Sequence, residues 1–143
     1  MRFRFAFLSA VVLALAVAVP AFAQEPYVSD IHVTSVQVNK MGEMHILGYL
    51  YCQNIGSDWK VEERGQAIQA IGRKTTVRGG IGGGFHCNPN GPTYFDAWSW
   101  ADWGKYTNTW TTIQLGFGTN WCDENGCWWQ DYGGQNFYLK ATK

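Results

Sequence analysis

From Ile31 onward, apolar and polar residues alternate over short runs parted by turn-forming residues. In the first run Ile31 and Val33 share one face. After Ser35 the phase flips, and Val36 and Val38 take the other face. A flip inside one strand predicts a β-bulge or a strand that passes between sheets, because side chains alternate with a period of two. A turn over Asn39–Glu43 leads into Met44–Cys52. There Ile46, Leu50 and Cys52 face one way, and His45, Leu47, Tyr49 and Tyr51 face the other. Trp59–Arg64 and Gln66–Ile71 are the next expected elements. The composition of the second admits a helix, but six residues between Gly65 and Gly72 are too few to repay helix nucleation. Arg73–Val77 reads as strand, Gly79–Gly84 interrupts it, and Asn88–Pro92 is a turn cluster. Tyr94–Ala101 then alternates, with Phe95 and Ala97 on one face and Tyr94, Asp96, Trp98 and Trp100 on the other. Thr109–Gly118 groups Ile113, Leu115 and Phe117. Trp121–Trp129 reads as a hairpin, and Asn136–Ala141 closes the chain with Phe137 and Leu139. Short strands at this spacing predict an all-β, antiparallel sandwich or small barrel of about 7–8 strands.

The first residues do not belong to that pattern. Arg2 and Arg4 precede an apolar stretch, Phe5–Val19, and Ala21-Phe22-Ala23 follows Pro20. A basic start, an apolar run and a small-x-small site predict a secretory signal peptide over 1–23, cleaved after Ala23. The run falls short of the roughly 20 residues that a membrane-spanning helix needs. The expected organisation is therefore a signal peptide at 1–23, a short linker at 24–29 and one domain at 30–143. The expected location is secreted or periplasmic. The whole sequence of 143 residues balances 11 Lys+Arg against 11 Asp+Glu. Without Arg2 and Arg4 the remainder is formally −2. This excludes a basic nucleic-acid binder, which needs excess cations against phosphate. No second long apolar run predicts a membrane span.

Four cysteines in an exported chain read as two disulfides. Cys122 and Cys127 flank Asp-Glu-Asn-Gly, a strong hairpin turn, which places them opposite each other across two strands. That leaves Cys52 with Cys87. A four-cysteine metal site is disfavoured, since paired C-x2-C knuckles are missing. Gly48-x-x-x-Cys52, Val61, Gln66, Gly72-Arg73, Cys87, Trp98, Cys122-Asp123-x-x-Gly126-Cys127 and Phe137-x-Leu139 follow one another in an order that resembles a group of small secreted bacterial proteins. Those proteins carry a signal peptide and one four-cysteine, immunoglobulin-like β-sandwich, of uncharacterised activity. The likeness spans about residues 45–141. It implies a single immunoglobulin-like sandwich held by Cys52–Cys87 and Cys122–Cys127, and it implies no catalytic residue. This chain departs from the group in its tryptophans and in the glycine run at 79–84.

Candidate chemistry is sparse. Gly79–Gly84 lacks the Gly-Lys-Ser/Thr ending of a phosphate loop and reads as a strand connection or bulge. His32 and His45 flank the first turn and are placed to meet across it, as an ordinary solvated pair or a surface metal site. Asp96 and Asp102 flank the Trp98/Trp100 segment, and Asp123, Glu124 and Asp131 follow in the hairpin region; two carboxylates with aromatics is a pattern shared with glycosidases. Asp123-Glu124-Asn125 lacks the oxygen ladder of a calcium loop. No cofactor, metal or catalytic residue is expected. The aromatic content is the sharper signal, for seven of the eight Trp lie between 98 and 129. They either fill a second small core or stand exposed as a binding surface. The alternation favours exposure of Trp98 and Trp100. The expectation is a non-catalytic binding module for a glycan or cell-envelope polysaccharide, with Tyr94, Asp96, Trp98, Trp100 and Trp110 as ligand contacts. The alternatives are a protein-interaction or inhibitor module, and a structural envelope protein without a small ligand.

Overall fold

The computed structural model describes residues 23–143. All but the last residue of the expected signal peptide, 1–23, lies outside the described residues. Eight strands form: β1 (Tyr27–Val38), β2 (Met44–Gln53), β3 (Lys60–Ile71), β4 (Thr75–Gly82), β5 (Gly84–His86), β6 (Thr93–Ser99), β7 (Trp110–Asp123) and β8 (Gly126–Lys140). Among the described residues no helix is long and apolar enough to cross a membrane. β1 begins at Tyr27, so the segment expected as a linker gives its last three residues to the strand.

The phase flip in β1 and the helix-or-strand ambiguity of Gln66–Ile71 are both resolved by pairing. In β1 the register against β2 shifts between Val33 and Ser35, a bulge at the place where the apolar phase flips. In the second half of β3 the residues Gln66–Ile71, whose composition admitted a helix, continue the strand through Gly65; all six pair with β4, and Gln66–Ile68 pair with β7 as well. Backbone hydrogen bonds on two edges outweigh a weak local preference.

Pairing is antiparallel throughout the sheet, in the order β1-β2-β6-β4-β3-β7-β8, with β5 attached to β3. The strands thus make one sheet that curls into a half-barrel, and two separately packed sheets of an immunoglobulin-like sandwich are not what the pairing shows. The ends approach each other: Gln37 of β1 bridges Thr142, and Val38 N–H donates to the Thr142 carbonyl at 2.7 Å. The join between β4 and β6 is short, limited to Ile81–Ser99 and Gly82–Trp98. Most of the glycine run, expected as a strand connection or bulge, is strand: 79–82 lie in β4, and Ile81 and Gly82 make the join. Gly79 permits it: a Cβ there would collide with the Trp100 carbonyl and lie 2.7 Å from the Tyr106 hydroxyl.

The concave side is the core. Met44, Ile46, Leu50, Val61, Ala67, Val77, Ile81, Ile113 and Leu115 are buried there. Phe95 and Phe117 pack edge to face at 5.3 Å, and Phe85 of β5 reaches both. The 100–109 segment sends Tyr106 back into the core. Its hydroxyl bonds Ser99 Oγ at 2.8 Å and donates to the Ala67 carbonyl at 3.1 Å, tying β6 to β3 behind the short join. Gln69, also buried, donates to Thr111 Oγ1 and the Thr107 carbonyl, and its own oxygen accepts the Thr107 N–H.

Both expected disulfides are formed. Cys122 and Cys127 are a directly opposed pair of the β7–β8 hairpin, with Cα atoms 4.0 Å apart. Cys52–Cys87 ties the end of β2 to the segment between β5 and β6 across 35 residues. Closing a loop of that length restricts the unfolded chain by about 4 kcal/mol, against about 2 for the hairpin bridge. Replacing Cys52 and Cys87 together by Ala is expected to lower unfolding stability by about 4 kcal/mol in urea titration. Replacing Cys122 and Cys127 should cost about half as much. Tyr106→Phe leaves the Ser99 hydroxyl without its partner, and the same titration should show a loss of about 1–3 kcal/mol.

Candidate functional site

Alternation along β6 sends Thr93, Phe95, Ala97 and Ser99 into the core and turns Tyr94, Asp96 and Trp98 outward. Trp100 follows on the outer side. On β2 the same geometry turns His45, Leu47 and Tyr49 outward, while Met44, Ile46 and Leu50 are buried. Register then sets the outer neighbours: Tyr49 lies opposite Tyr94, Leu47 opposite Asp96, and His45 opposite Trp98. From β1, His32 lies opposite Tyr49.

These cross-strand pairs stack. The His45 ring lies on Trp98 at 4.1 Å and 11°, and Trp98 lies beside Trp100 at 6.3 Å and 20°. His32 stacks on Tyr49 at 4.7 Å, and Tyr49 meets Tyr94 and Tyr51. His45 Nε2 also contacts the Asp96 carboxylate, and Trp100 Nε1 donates to Glu43 Oε1 at 2.9 Å. The rings are therefore held at both faces and edges. Tyr94 is 73% exposed and Trp100 54%, while Trp98 is half-buried beneath its two neighbours. From Tyr94 to Trp100 the stripe runs about 20 Å along β6, at the usual rise of a strand.

The tryptophans that crowd together in sequence are scattered in space. Trp110 lies on β7, stacked on Tyr138 at 5.0 Å, and β4 and β3 stand between it and β6. Of the five expected contact residues, four share the β6 stripe and Trp110 is not brought to it. Trp121 packs edge-on against Trp59 and bonds Gln130, under the β7–β8 hairpin. Arg64 covers Trp129 at 3.6 Å from the ring centroid. Trp103 and Trp128 are exposed elsewhere.

Other expected groupings are also separated. His32 and His45 do not face each other: the first pairs with Tyr49 and the second with Gln37 in register. Asp96 sits mid-strand, whereas Asp102 lies in the segment after Trp100, its N–H held by the Arg78 carbonyl. Asp123 accepts the Asn125 N–H at the hairpin tip. Among the described residues no cluster of three or more His, Cys, Asp or Glu is arranged to hold a metal.

One carboxylate escapes a reading of sequence pattern. Glu63 follows the inward phase of Val61 on β3 and is 2% exposed. Its N–H donates to the Gly83 carbonyl, but neither carboxyl oxygen has a hydrogen-bond partner among the described residues. Burial raises its pKa from 4.5 to about 7, and the nearby Asp96 and Glu62 charges push in the same direction, against backbone N–H groups that lower it. The signal in sequence was the phase alone, an acid at an apolar position.

Searches against protein-family models, curated proteins and solved structures find no match to this chain.

The Glu63 shift has a definite sign for stability. Between pH 4.5 and about 7 the folded protein holds this proton and the unfolded chain releases it, so stability falls as pH rises. The stabilising preference for the folded state is whole below pH 4.5 and is lost through about pH 7. The wild type is expected to lose about 3 kcal/mol over this window relative to Glu63→Gln, which has no proton to release. Urea unfolding of both proteins at several pH values checks it. Parallel pH profiles would show that Glu63 is not neutral in the folded state.

Proposed function

We propose that this protein is a secreted or periplasmic, non-catalytic module that binds an extended polysaccharide along the outer face of β2 and β6. The single observation that carries the reading is the stripe of Tyr94, Trp98 and Trp100 with His45, in which Trp98 is fixed by stacking, Trp100 by stacking and a hydrogen bond, and Tyr94 and Trp100 are open to solvent. A sugar ring has an apolar face of C–H bonds, which a flat aromatic covers at small entropic cost because the side chain has two torsions. The sugar's equatorial hydroxyls need polar partners, and Asp96 and His45 lie between the rings on the same face. A stripe of about 20 Å suits several consecutive sugar units rather than a single one.

The location rests on the expected signal peptide and is supported by two disulfides, which persist in oxidising compartments. The four-cysteine secreted proteins that the sequence resembles are the family to which this reading assigns the chain, with the immunoglobulin-like sandwich as the fold implied by that assignment. A protein-interaction role is the second reading. It is favoured by exposed Trp128 on the β7–β8 hairpin and by the exposed Trp110–Tyr138 stack, since exposed aromatics serve as interface anchors.

Tryptophan fluorescence titrated with a panel of polysaccharides tests the glycan reading. Quenching or a spectral shift is expected with at least one polymer. Trp98→Ala and Trp100→Ala should each weaken that binding about tenfold or more, the scale of a central aromatic contact. Trp110→Ala should leave it unchanged, and circular dichroism checks that the variants fold. Silence across the panel, or full binding by both β6 variants, sinks the proposal.

A further inference from the structure

We infer that the polysaccharide bound by this stripe is acidic, and that a lysine-rimmed pocket at the Trp100 end takes its carboxylate or phosphate group. The inference rests on the glycan reading and narrows it to a ligand class.

The pocket opens where the β1–β2 turn, the 100–109 segment and the chain's last residues meet. It has a volume of about 740 Å³ and is walled by Val38 and Tyr106. Lys40, Lys105 and Lys143 all line it, and no Asp or Glu does. Three of the nine cationic side chains in residues 23–143 thus border one cavity in a region whose formal charge is negative. Among the described residues none of the three has an ion-pair partner. Lys40 and Lys105 stand on a partly apolar cavity with no Asp or Glu in its wall, and two like charges gathered this way favour an external anion there.

Lys40 and Lys105 carry most of the argument, because both are placed by turn geometry. Lys40 sits in the turn that Asn39 organises, its Oδ1 accepting the N–H groups of Met41 and Glu43. Lys105 lays its stem across Gly42. A Cβ on that glycine would stand 2.5 Å from Lys105 Cβ, and the Tyr106 N–H donates to the Gly42 carbonyl beside it.

A chain of hydrogen bonds links the pocket wall to the stripe. Asn39 lines the pocket and donates to Glu43 Oε2 at 2.6 Å, and the other oxygen of Glu43 accepts from Trp100 Nε1. The nearby acid therefore has both oxygens occupied by neutral donors and lies between the two surfaces. A sugar stacked on Trp100 brings its neighbour in the chain toward the lysines.

The test is a binding titration of the secreted domain with three polymers. Dextran is neutral, polygalacturonate carries carboxylates and phosphomannan carries phosphates. The wild type should bind one or both acidic polymers about tenfold more tightly than dextran at low salt, as two exposed charge pairs at the upper end of their range would give. The preference should fade near 1 M salt, where screening acts within about 3 Å. The double variant Lys40→Gln/Lys105→Gln should lose the preference while keeping its affinity for dextran. As a control, Arg73→Gln/Lys74→Gln removes two cations from the β3–β4 turn and should keep the preference. The acidic polymer bound more tightly names the anion. Equal binding of acidic and neutral polymers, or equal loss in both double variants, overturns the acidic-ligand inference and leaves the glycan reading standing. Binding to no polysaccharide overturns both.

Discussion

Two residue pairs, Ile81–Ser99 and Gly82–Trp98, are the whole of the ladder between β4 and β6. On one side of this join lie β1, β2 and β6, and on the other lie β4, β3, β7 and β8. So short a ladder supplies few backbone hydrogen bonds, and other contacts hold the halves together. Tyr106 spans Ser99 and the Ala67 carbonyl across the join, Phe95 packs on Phe117 from opposite halves, and Cys87 anchors the segment before β6 to β2. Among the glycines of β4, Gly79 is the one that lets the chains come this close. A side chain at Gly79 has no room between the Trp100 carbonyl and the Tyr106 hydroxyl.

The same join sets the character of the two faces. Closing the sheet there gives the inward residues of β6 a core to enter, and this obliges Tyr94, Asp96 and Trp98 to point outward. Large aromatics left in water forgo the stabilisation that burial would provide, on the order of 25 cal/mol per Å² of apolar surface. Here part of that loss is offset by mutual stacking, as Trp98 lies between His45 and Trp100. Rings fixed in this way are pre-organised for a flat ligand, which spares binding the entropy of ordering them.

Polar groups inside the half-barrel divide into two kinds. Gln69, Ser99 and Thr111 are hydrogen-bonded within the core and fasten the 100–109 segment to the sheet. Glu63 has no such partners for its carboxyl oxygens. An unpaired buried carboxylate is tolerated by keeping its proton, which moves the cost from desolvation into a dependence on pH. The burial that makes this acid unusual comes from the strands around it, not from its own neighbours in sequence.

Much of the local structure was legible in the amino-acid order. The inward phase of Phe95 and Ala97, the bulge after Val33, the Cys122–Cys127 hairpin and the outward phase of Tyr94, Trp98 and Trp100 all follow from an alternation that the extended backbone imposes on every strand. The strand neighbours were not legible, because a pairing partner depends on long-range contacts that no short window contains. Tertiary structure alone decided that β4 and β3 separate Trp110 from Trp98. It also decided that Ile81 and Gly82 join β4 to β6, that Glu63 is sealed in, and that the strands form one curled sheet. Alternation tells which way a side chain points. Only closure of the sheet tells what it points at.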